Sequence, residues 1–138
     1  MSSHYRLVAL QILAACLLMV QTGCKMGAKN SQVSFQVGGV YSVDDDIGNI
    51  LVAKILKLDS NEVHLRIYNN RFSERPKDVQ MNTLTVPTLN QESGLGQNHI
   101  EMDKEQFMGW LPEYIKTVEV SDSELEGYYE WKNIMDEM

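Results

Sequence analysis

Residues 49–68 read NILVAKILKLDSNEVHLRIY. Two apolar runs flank the turn-forming segment DSNE at 59–62. The second run alternates strictly. Val63, Leu65 and Ile67 take one side, and His64, Arg66 and Tyr68 take the other. Side chains repeat every two residues along a strand, so this run has one apolar and one polar face. The first run is apolar on both faces from Leu51 to Ile55, which suits a strand with a neighbour on each side. Together the runs predict a β-hairpin with a central first arm.

The pattern extends in both directions. Upstream, VSFQVGGVYSV at 33–43 alternates at Val33, Phe35 and Val37, bends at Gly38-Gly39, and continues through Tyr41 and Val43. Residues 44–49, DDDIGN, form a turn, because Asp and Asn bond the local backbone and Gly accepts positive φ. Downstream, NNRFSERPKD at 69–78 is a basic loop, and Leu84-Thr85-Val86 predicts one more short strand. Residues 88–99 are turn-rich. Residues 103–138 read as helices. Asp103 is positioned to cap a first helix, with Phe107, Trp110 and Leu111 on one face and Pro112 bending it. Ser121 and Glu124 make a capping box for a second. Leu125, Tyr128, Trp131 or Lys132, and Met135 follow in it at roughly helical spacing. Strands followed by helices predict an α+β class: a small antiparallel sheet or partial barrel, then C-terminal helices. Gly-x-x-Tyr-x-Val at 38–43, the acidic turn, the long apolar strand and the hairpin resemble an SH3-like barrel. The segments VHLRIYNNRFSERP and ELEGYYEW resemble small bacterial proteins of no assigned activity, which implies no mechanism.

The N-terminal residues carry an address. Arg6 precedes LVALQILAACLLMV at 7–20, and Gln21-Thr22-Gly23-Cys24 follows. That is the charged, apolar, small-residue order of an export signal. The apolar run is shorter than the roughly 20 residues of a membrane-spanning helix. Thr22-Gly23-Cys24 resembles the end of a bacterial lipoprotein lipobox, with Leu13-Ala14-Ala15-Cys16 as the alternative. The resemblance implies a diacylated Cys24, or Cys16, and a protein held in the bacterial envelope by its lipid. Lys25 after Cys24 implies the periplasmic face of the outer membrane over the inner membrane. The predicted organisation is a signal peptide at 1–23, a flexible tether at 24–32, and one α+β domain at 33–138.

Charge and cysteine content narrow the classes. Residues 25–138 hold all 19 acids against 11 Lys and Arg. The last 38 residues hold 11 acids and 3 bases. Such a balance argues against nucleic-acid binding. Both cysteines lie in the signal region, so the domain has no disulfide, thiol or Cys-metal chemistry. No cofactor or metal motif is present. The acidic run at 44–46 lacks the ligand spacing of an EF-hand.

His64, Arg66 and Tyr68 are the candidate partner-binding residues, with Arg71 and Arg75 extending the surface. An imidazole, a planar guanidinium and a phenol on one strand face suit an anion or a partner's carboxylate. The alternative is that the acidic C-terminal helix covers this face. His64 and His99 lie 35 residues apart and carry no metal signature. Trp110, Tyr128, Tyr129 and Trp131 fit either an aromatic groove or a core cap. The leading expectation is a lipid-anchored, non-catalytic domain that binds another envelope protein. The alternatives are a small hydrolase using His64 or His99 with a carboxylate, or an immunity or inhibitor protein.

Overall fold

A computed structural model describes residues 33–87 and 96–138. The signal region, both cysteines, the tether and part of the turn-rich stretch lie outside the described residues. Five antiparallel strands form one open sheet: β1 (Gly39–Asp44), β2 (Ile50–Leu58), β3 (Glu62–Ile67), β4 (Gln97–Asp103) and β5 (Glu113–Thr117). Their order is β4-β3-β2-β1-β5, with β2 at the centre, as its two apolar faces require. Two helices complete the α+β fold: α1 (Lys104–Gly109) and α2 (Glu126–Asp136), the latter introduced by a 3₁₀ turn at Asp122–Leu125. Among the described residues, no helix is long and apolar enough to cross a membrane.

Both faces of the sheet are covered. On one, Tyr41, Val43, Leu51, Ala53, Ile55, Val63, Leu65, Ile67, Met102 and Phe107 form the main core. Val33, Phe35 and Trp110 close its edge. Phe107 packs tilted on Phe35 at 5.1 Å and edge-on to Tyr41 at 6.0 Å. On the other face, Val40, Val52, Tyr68 and Val79 form a smaller core beneath Phe72, Met81, Leu84 and Val86.

Several local expectations are corrected. Residues 33–37 are not a strand; the chain becomes a ladder only at Gly39, after Gly38 takes a φ of 81°. A Cβ on Gly38 would meet the Val118 carbonyl oxygen at 2.5 Å. Leu84–Val86 is irregular, following a 3₁₀ turn at Met81–Thr83, and is tied down by Asn69 and Asn70 instead of by a ladder. Residues 97–103 and 113–117 are strands, not turn and helix. Asp103 sits at the N-cap of α1 without a side-chain cap bond. That helix ends at Gly109, so Leu111, with a φ of 51°, points outward and is 64% exposed, away from Phe107 and Trp110.

The bulges matter most for the polar face. Ile55 pairs with Leu65, but Lys57 pairs with His64, so β2 carries one extra residue there. In an unbroken strand, residues three apart point to opposite faces. The bulge instead puts Lys54 opposite Arg66 and Lys57 opposite His64, on one face.

Candidate functional site

The polar face of β3 is closed by the chain's own C-terminal segment, and it holds two adjacent clusters. The first forms around Lys54, whose side chain is only 2% exposed. Lys54 and Arg66 lie directly opposite each other in the ladder, and like charges so placed repel. Glu124 resolves this. Lys54 Nζ donates to both of its carboxylate oxygens at 3.0 Å and to the Glu119 carbonyl at 2.7 Å. Arg66 Nη1 stands 3.8 Å from Glu124 Oε1. The capping box holds Glu124 in place: the Ser121 N–H donates to Oε2 at 2.8 Å.

Burial alone pushes the Glu124 carboxyl up, but the Ser121 N–H and the Lys54 ammonium outweigh it and hold it below the ordinary range. Burial, then the neighbouring Glu124, pushes the Tyr68 hydroxyl up to about 12. A carboxyl depressed on folding stabilises the native state fully above its unfolded pKa, and that contribution fades as pH falls through the folded value. Wild type should therefore lose melting temperature more steeply than Glu124→Gln as pH drops from about 5 to 3. Parallel pH–melting curves would remove Glu124 from the acid response.

A cleft of about 370 Å³ opens over this cluster. Lys54, Arg66, Tyr68 and Glu124 form its polar side; Met81, Leu84, Val86 and Val118 form its apolar side; and Glu119, Ser121 and Ser123 sit at its rim. Arg66 is the half-used group. Its side chain is 16% exposed, and among the described residues it makes one long bond, Nε to the Asn98 carbonyl at 3.4 Å, besides the Glu124 contact. Glu124 is already committed to Lys54, so the Arg66 fork retains donors for a further carboxylate.

The second cluster forms at the hairpin end. His64 is fully buried. Its Nε2 lies 2.9 Å from Asp59 Oδ2, and its Nδ1 lies 3.0 Å from His99 Nε2. The two imidazoles stack at 11°, with Tyr128 and Trp131 of α2 edge-on to His64 at 4.9 and 4.7 Å. Lys57 Nζ stands 5.8 Å from the Tyr128 ring centre. α2 approaches closely because residue 127 is glycine; a Cβ there would meet His99 Cβ at 2.8 Å. Burial, then His64, pushes His99 down to about 4, so it is neutral at pH 7. Asp59–His64–His99 is a hydrogen-bonded chain, but among the described residues no hydroxyl or thiol bonds either ring.

The sequence-derived residues thus divide. His64 belongs to the aromatic-capped chain, while Arg66 and Tyr68 line the cleft. Arg71 and Arg75 do not extend that surface. Arg75 Nη1 donates to the Ser42 carbonyl at 2.9 Å and faces Glu113 at 3.7 Å, while Arg71 lies near Asp45 in the β1–β2 turn. Both act at the other end of the sheet, because the Ile50–Phe72 bridge carries their loop there. Cys24 and Cys16 lie outside the described residues. Tyr128 and Trp131 cap His64, Tyr129 is exposed, and Trp110 joins the main core. Sequence reasoning passed over Lys54, Asp59 and Glu124 as site members. Lys54 and Lys57 within an apolar strand were the available signal.

No family model, curated protein or solved structure matches the chain.

Proposed function

We propose that this is a lipid-anchored protein of the bacterial envelope whose domain binds, without catalysis, a carboxylate-bearing segment of another envelope protein. The lipobox-like Thr22-Gly23-Cys24 supports the anchor, with Cys16 as the alternative attachment point. The cleft supports the binding role, and one observation carries it. Arg66 lines a cleft with an apolar wall, and its nearest carboxylate is already engaged by Lys54. Pockets that combine an apolar lining with a few convergent polar groups are the usual form of a binding site.

Chemical crosslinking in cells fed an alkynyl fatty acid, followed by purification of the labelled protein, tests both parts. Cys24→Ser should lose the label. Arg66→Lys keeps the charge but not the planar fork, so it should reduce the crosslinked partner by about tenfold with the melting temperature nearly unchanged. A lower melting temperature with an unaltered partner would show that Arg66 serves only to brace Glu124. Retained label in Cys24→Ser would exclude that residue as the attachment point.

A further inference from the structure

We propose that Asp59, Glu62 and His64 form a binding site for a divalent transition-metal ion, with Zn²⁺ as its natural probe. The site is distinct from the Arg66 cleft. One ligand atom from each of the three residues lies within 4.8 Å of the others. Three elements of the fold bring this about. Glu62 and His64 are two apart on β3 and share its polar face. Asp59 stands in the turn before them, held by its N–H to the Glu62 carbonyl at 3.0 Å. Glu101 on β4 pairs in register with His64 and presses its carboxyl against Glu62.

The donor set has the character of a metal site more than of a simple ion pair. One imidazole nitrogen with several carboxylate oxygens suits borderline divalent ions, and three protein ligands leave a position open for water. Among the described residues, no Lys or Arg forms an ion pair with Asp59, Glu62 or Glu101. The nearby cations are turned elsewhere. Lys104 Nζ donates to the Ser60 carbonyl at 3.0 Å, and Lys57 faces the Tyr128 ring. Three acids thus surround one imidazole without a fixed counter-charge.

The ring is also set in the orientation that ligation needs. A ligating nitrogen must be bare, so the other must carry the proton and donate it. His99 Nε2 stands 3.0 Å from His64 Nδ1 and can accept a hydrogen bond from it, so an ion at Nε2 would take the place of the proton shared with Asp59 Oδ2, 2.9 Å away, with Glu62 beside it. Tyr128 and Trp131 fix the ring plane. Asp59 is 51% exposed, which gives an ion a path from solvent.

Isothermal titration of the full chain in detergent, stripped with a chelator and titrated with ZnCl₂, tests this. The expected result is saturable binding of one ion per chain. Asp59→Asn and Glu62→Gln should each weaken it about tenfold or more, and His64→Gln should abolish it. Glu130→Gln, on the outer face of α2, should leave it unchanged. Asp59 and Glu62 decide the matter even if His64→Gln fails to fold, because both lie toward solvent. Absence of saturable binding at millimolar Zn²⁺ would overturn the proposal. So would binding that survives Asp59→Asn combined with Glu62→Gln, which would place the ion elsewhere on the chain.

Discussion

Glu124→Ala should destabilise the domain by about 3–5 kcal/mol, the usual cost of stranding one member of a buried ion pair. The substitution leaves the Lys54 ammonium, 2% exposed, with only the Glu119 carbonyl. It also leaves Lys54 and Arg66 opposite each other with no shared carboxylate. Urea denaturation of wild type and variant measures the difference. Replacing both partners by apolar residues, as in Lys54→Met with Glu124→Leu, should recover most of the loss, since a well-packed apolar pair avoids desolvating two charges. A loss below about 1 kcal/mol in the single variant would mean that Lys54 is satisfied elsewhere, and that the C-terminal segment is not held by this contact.

Leu65→Ala should cost about 2–5 kcal/mol. Leu65 is fully buried and pairs with Ile55 on one side and Ile100 on the other, so neighbours on two strands would face the space it leaves. A cavity in the middle of a sheet collapses poorly, because the flanking backbones are fixed by their ladders. The same urea experiment with Glu130→Ala, an exposed position, should show a change within about 0.5 kcal/mol. Equal costs for the two variants would put Leu65 on the wrong face of the sheet.

Much of the fold was legible wherever the signal was local. The strict alternation at 63–68 predicted β3, and the two-sided run at 51–55 predicted a central β2. The turn at 44–49 forms as its composition demands, with Asp45 accepting from the backbone N–H of Ile47 and Asn49. The capping box at Ser121 and Glu124 is present. The edge strands were not legible. β4 begins inside a stretch rich in Gly, Asn and Gln, and β5 follows a proline between two helical segments. Its β-branched and aromatic residues, Tyr114, Ile115 and Thr117, were the available cue.

The candidate site was legible only in part, for a related reason. Alternation placed His64 and Arg66 together, but pairing across distant strands brought His99 to His64. The bulge in β2 moved Lys57 to the same face as Lys54. Neither event leaves a mark within a window of a few residues. The acidic C-terminal segment covers most of this face, with Trp131 against His64 and Glu124 on Lys54. The cleft over Arg66 is what remains accessible.

The Lys54–Glu124 contact joins residues 70 positions apart. A chain synthesised from its N-terminus delivers the β2–β3 hairpin early and its counter-ion late. During that interval the ammonium cannot be buried without a partner, so it must stay in water, and the polar face must stay open. The main apolar face depends less on the last residues, since Phe107 is its most C-terminal buried member. Maturation should accordingly run in two stages: an early collapse on one side of the sheet, then a late latching of the other. Until the latch closes, the cleft over Arg66 does not exist, because Glu124 and Val118 of its lining arrive with the last residues.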